Sequence, residues 1–119
     1  MKTLYFLSTC STCQRIIKQV NWPHDILFVD IKKQSISSET LDVLYEKFGS
    51  YEAVFSKKAK NFTQVKASIV SDADYKKLIL SDYTFLKRPV ILYGDFYSVG
   101  NDRAAIERLK LRFNLVNSK

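Results

Sequence analysis

The chain has 119 residues, 46% of them hydrophobic and 13% aromatic, which suits a single domain with an ordinary core and argues against intrinsic disorder. No apolar run approaches the roughly 20 residues of a membrane-spanning helix, and the one after Lys2 is too short for a secretory signal, so a cytoplasmic, reducing location is expected. The formal net charge of +7 favours acidic partners. No basic block with interleaved aromatic residues marks a nucleic-acid module, and direct nucleic-acid binding is not expected.

In chain order, Thr3–Leu7 reads as a short buried strand. Ser8-Thr9-Cys10 makes a turn, and a helix is predicted over Ser11–Val20, with Ile16, Ile17 and Val20 on its apolar side and Arg15, Lys18 and Gln19 on its polar side. Pro23 disfavours helical geometry in Trp22 and closes that helix. Ile26–Val29 reads as a second buried strand ending at Asp30, so the opening is a β-α-β unit of the kind that forms a parallel crossover.

The middle of the chain reads as helical. Ser37 or Ser38 can cap a helix whose inward positions are Leu41, Leu44, Tyr45 and Phe48, with Gly49 as its stop. Tyr51–Phe55 suggests a further helical turn, Ala59–Lys66 is basic and ambiguous, and Ser71 with Asp74 opens a helix carrying Tyr75, Leu78 and Ile79. A structureless loop of this length is improbable, so residues 37–81 are expected to form an inserted helical lobe. Val90–Tyr93 and Phe96–Val99 around Gly94-Asp95 read as a hairpin. Asn101 is placed as the cap of a last helix that turns Ala105, Ile106, Leu109 and Phe113 inward and Arg103, Arg108 and Arg112 outward. The expected architecture is one α/β domain over residues 1–119: a mixed sheet in the order β-α-β … β-β-α from residues 1–36 and 82–119, with the helical insertion between them.

The chemistry concentrates in Cys10-Ser11-Thr12-Cys13 at the first strand-to-helix junction. In a reducing compartment a structural disulfide is not expected, which leaves a redox pair, half of a metal site, or an inert pair. Zinc needs four ligands, and Cys10, Cys13 and the lone His24 do not supply them, so no metal is expected. A C-x-x-C beside a β-α-β pattern reads as a thioredoxin-like redox motif. A thiol at a helix N-terminus is drawn toward its anion by unpaired N–H groups and the helix dipole. Cys10 at the cap is therefore the expected attacker, and Cys13, about one turn later, the resolver. Pro89 cannot donate to a β-ladder and is expected at the start of its strand or in a bulge. Arg88 before it would stand where it can hold a thiolate or an oxyanion.

Together with Val29-Asp30-Ile31-Lys32, Phe55-Ser56-Lys57-Lys58-Ala59, Leu86-Lys87-Arg88-Pro89-Val90-Ile91 and Val99-Gly100, the cysteine motif makes nearly the whole chain resemble the ArsC/Spx family. That family contains arsenate reductases and the Spx transcription regulators. The resemblance implies a thioredoxin-like fold with a cis proline at Pro89 beside the reactive cysteine. It also implies Cys10 as nucleophile and Arg88 as an anion-binding arginine, with Ser11, Thr12, Lys58 and Pro89 around the substrate. Two positions that carry arginines in arsenate-reducing members are Lys58 and Asn101 here, and lysine lacks the planar guanidinium fork. The expected activity is therefore thiol oxidoreduction on a disulfide or small anion rather than efficient arsenate reduction. No bound cofactor is expected; glutathione or glutaredoxin is the expected external reductant, with thioredoxin a further redox partner. The alternative reading is an Spx-type redox regulator that binds the C-terminal domain of the RNA polymerase α subunit.

Overall fold

The computed structural model describes residues 1–117, and the side chains of residues 1–114. Contacts divide the chain into two units, Met1–Gln34 with Arg88–Lys119, and Ser35–Lys87. By these contacts residues 35–36 and 82–87, expected with the sheet, go with the lobe.

In the first unit, four strands among the described residues form one mixed sheet in the order β2-β1-β3-β4. Strand β1 (Lys2–Phe6) leads into helix α1 (Ser11–Gln19), and β2 (Leu27–Asp30) then pairs parallel to β1. Strand β3 (Val90–Tyr93) runs antiparallel to β1 and forms a hairpin with β4 (Phe96–Val99). Gly94 begins the hairpin turn at φ +64° while Asp95 has no positive φ, which is where a type II′ turn places its glycine. Leu4 and Ile91 of the sheet, Ile16 and Val20 of the α1 region, and Leu109 and Phe113 of the last helix, α5 (Arg103–Asn117), form the core of this unit.

Four expectations change here. The first strand ends at Phe6, because the Leu7 carbonyl turns away to accept the Cys10 N–H at 3.0 Å. The second strand is an edge strand instead of a buried one: it pairs only with β1, leaving Leu27 62% and Phe28 39% exposed. The last helix is capped by Asp102, whose carboxylate accepts the Ala105 N–H at 2.8 Å, and not by Asn101. In addition, α1 ends at Gln19, one residue before the expected Val20.

The second unit holds α2 (Ser38–Phe48), the short α3 (Phe62–Val65) and α4 (Asp72–Ser81), with 3₁₀ turns at Glu52–Val54, Lys66–Ser68 and Tyr83–Phe85. The Ser37 hydroxyl caps α2 through the Thr40 N–H at 3.0 Å, and Gly49 closes it at φ +87°. A capping box of Ser71 and Asp74 opens α4. Phe55 is the centre of this core, stacked on Phe85 at 5.2 Å with Tyr75 and Phe62 edge-on. An isolated antiparallel bridge joins Phe55, expected at the end of a helical turn, to Leu86. Tyr45, expected inward, is 39% exposed and lies on the Tyr51 ring instead.

One position in β4 stands against the packing. The Ser98 side chain is fully buried, and its hydroxyl has no hydrogen-bond partner among the described residues. Leaving such a group unpaired costs about 1–3 kcal/mol. Ser98→Ala is therefore expected to stabilise the protein by about 1 kcal/mol, measured as a higher urea midpoint at unchanged slope. A loss of stability would show that the hydroxyl is satisfied.

Candidate functional site

The ends of β1 and β3 build the site. Leu7 to Cys10 form a tight turn closed by the Cys10 N–H on the Leu7 carbonyl, and the Cys10 carbonyl then accepts the Gln14 N–H at 3.1 Å to start α1. Cys10 is the N-cap residue, with extended backbone (φ −94°, ψ 111°). Its sulfur thus lies where the first turn of the helix presents unpaired N–H groups. Cys13 lies one turn further on, fully buried, and both cysteines are free thiols.

The two thiols are pushed in opposite directions. Burial raises the Cys10 pKa, but hydrogen bonds from the Cys13 backbone and side chain and from the Arg88 side chain outweigh it and hold Cys10 below the ordinary thiol value. Burial pushes Cys13 up to about 11; a backbone hydrogen bond from Leu7 opposes that shift, and the neighbouring Cys10 adds to it. Of the two, Cys10 is the thiol that ionises first, and Cys13 is a proton donor to it.

Arg88 and Pro89 arrive from the other side. The Arg88-Pro89 peptide is cis, and Pro89 is buried immediately before the first residue of β3. The Pro89 carbonyl accepts the Gly100 N–H at 2.9 Å, and the Arg88 carbonyl accepts from the Asn101 side chain at 3.1 Å. Asn101 thus braces the backbone of the residue whose guanidinium meets Cys10. This contact between residues 13 apart had no local signal in the sequence.

Of the other expected site residues, Ser11 is exposed and Thr12 half-buried in the first turn of α1. Lys58 is exposed in a turn of the second unit. Two residues that had no assigned role touch the cysteine loop: Asp30, at the end of β2, and Gln14, in α1.

A family model described as the ArsC family matches residues 5–109. The chain belongs to the ArsC family. Solved structures agree with the fold. An ArsC-related protein from Bacteroides fragilis superposes with a TM-score of 0.70 at 21% identity, over 92% of this chain and 100% of the other. A possible arsenate reductase from Streptococcus mutans gives 0.68 at 24%, over 90% and 95%. An arsenate reductase related protein from Brucella melitensis gives 0.63 at 25%, over 91% and 93%. No functionally curated protein matches the sequence significantly. Membership of the ArsC family and its thioredoxin-like fold agree with the reading from the cysteine and Arg-Pro motifs. No helix among the described residues is long and apolar enough to cross a membrane.

Proposed function

We propose that this ArsC-family chain is a thiol oxidoreductase in which Cys10 attacks, Cys13 resolves and Arg88 steadies the anion. The observation that carries the reading is the split between the two thiols: Cys10 held below its ordinary pKa beside Arg88, and buried Cys13 held near 11.

The Cys10 thiolate attacks one sulfur of a substrate disulfide and forms a mixed disulfide, and the other substrate sulfur leaves as a thiolate. Cys13 then attacks the Cys10 sulfur. Its proton passes to the departing second substrate thiolate, and the Cys10–Cys13 disulfide forms as the substrate takes up two electrons. An external thiol, glutathione or a glutaredoxin-type dithiol, returns those electrons by exchange. A cation next to the attacking sulfur favours substrates that carry negative charge, such as a glutathione mixed disulfide.

The test is site-resolved alkylation against pH, coupled to turnover of a glutathione mixed disulfide. Because the Cys10 pKa is lowered, its alkylation should fall away at a lower pH than that of an ordinary thiol. Cys13 should react only as the pH approaches about 11. Cys13→Ser should allow the first attack and trap the mixed disulfide on Cys10. An ordinary titration of Cys10 would defeat the reading. A reversible disulfide without turnover would make the pair a switch, as in a redox regulator, rather than a catalyst.

A further inference from the structure

The Cys10 loop is held from outside by two side chains that meet on a single residue. Parallel pairing brings the end of β2 to the same sheet edge as the end of β1, with Asp30 opposite Phe6. The Asp30 carboxylate oxygen Oδ1 there accepts the Ser8 N–H at 3.3 Å, across 22 residues of chain, and the Lys32 N–H at 3.1 Å. The Ser8 hydroxyl also donates to this carboxylate, and Lys33 lies near enough to favour its charge. From the other side, Gln14 Nε2 donates to the Ser8 carbonyl. The N–H, hydroxyl and carbonyl of Ser8 are all engaged, two residues before the reacting sulfur.

We infer that Asp30 and Gln14 form a clamp on Ser8 that positions the Cys10 sulfur against Arg88 and the Cys13 N–H. Asp30 is a positioning residue and touches no reacting atom. The inference rests on the reading of Cys10 as the thiolate. Its physical basis is that hydrogen bonds to a sulfur anion depend steeply on distance and angle. The turn over residues 7–10 has one internal closing bond, from Cys10 to Leu7, and the Gln14 N–H on the Cys10 carbonyl ties its far end to α1, so side chains on Ser8 add the hold on its near half.

The sign of the effect separates geometry from charge. Removing a negative charge near a thiol would by itself lower the thiol pKa, whereas loss of positioning raises it. Asp30→Ala in the full chain is expected to raise the Cys10 alkylation midpoint and slow the reaction at pH 7 roughly threefold to tenfold, short of the roughly 10²-fold that a misplacement of about 1 Å can cause. Asp30→Asn keeps an acceptor oxygen in place while losing the charge, so its midpoint is expected at or slightly below the wild-type value and never above it.

Iodoacetamide alkylation with mass-spectrometric assignment of each cysteine reads the midpoint, and thermal unfolding runs alongside. A folded Asp30→Ala protein with the wild-type midpoint and rate overturns the clamp, and so does a midpoint that moves down. If Asp30→Ala does not fold, Gln14→Ala at its exposed position decides: an upward shift supports the clamp and no shift overturns it. An ordinary midpoint for Cys10 in the wild-type chain removes the thiolate reading itself, and the clamp with it. A lowered wild-type midpoint with unmoved variants removes the clamp alone.

Discussion

Arg88→Ala is expected to raise the titration midpoint of Cys10 and to slow its alkylation at pH 7 by up to about tenfold, through loss of a charge-assisted hydrogen bond of about 1.5 kcal/mol. The lower end of the range for charged partners is used because Arg88 and Cys10 are both half-exposed and water screens the pair. The Arg88 side chain bonds the Cys10 sulfur and also opposes its burial electrostatically. Arg88→Lys keeps the charge and loses the planar fork, so it should recover part of the shift. Cys13 should respond weakly, since burial comes first among its causes and Arg88 last. The pH–alkylation profile of each cysteine measures all of this. An unmoved Cys10 midpoint in Arg88→Ala would remove arginine from the mechanism and leave the helix N-terminus as the main stabiliser.

Phe113→Ala should produce the largest loss of stability, about 3–5 kcal/mol. The ring is 1% exposed and lies at the centre of an aromatic group, with Trp22 at 5.3 Å, Phe96 at 5.5 Å and Tyr93 at 5.6 Å between centroids. The Arg112 guanidinium sits over the same ring at 5.4 Å. Alanine would leave a cavity that rigid rings on three sides cannot close, which places the loss in the upper part of the range for large-to-small changes. Urea unfolding followed by far-UV circular dichroism measures it. Tyr93 and Pro89 bracket β3 at opposite ends, so the folded fraction should keep the wild-type Cys10 midpoint. A loss below about 1 kcal/mol would mean that the cluster repacks around the smaller side chain.

Local chemistry was the legible part of this chain. The i, i+3 cysteines placed Cys10 at a helix cap, and Ser37, Gly49 and the Ser71–Asp74 box marked the ends of the lobe helices where the structure has them. Each of these signals acts within about one helical turn, the range over which caps and dipoles operate. Errors arose where the deciding partner was distant or a near neighbour competed. Leu27 and Phe28 read as buried because an apolar run carries no sign of whether a strand has one neighbour or two. Asn101 and Asp102 are equally good caps by type. The Arg88 carbonyl took the first, leaving the helix to the second.

The sequence by itself determined most element types, the Gly94-Asp95 hairpin and the place of Cys10 at the cap of α1, because short-range backbone and side-chain chemistry governs these. Tertiary structure decided how distant side chains reach the cysteine loop. Parallel pairing of β1 with β2 delivers Asp30 to Ser8, and antiparallel pairing of β1 with β3 delivers Arg88 to Cys10. Strand order and register set those meetings, and they depend on contacts between residues far apart in the chain, which no local pattern encodes.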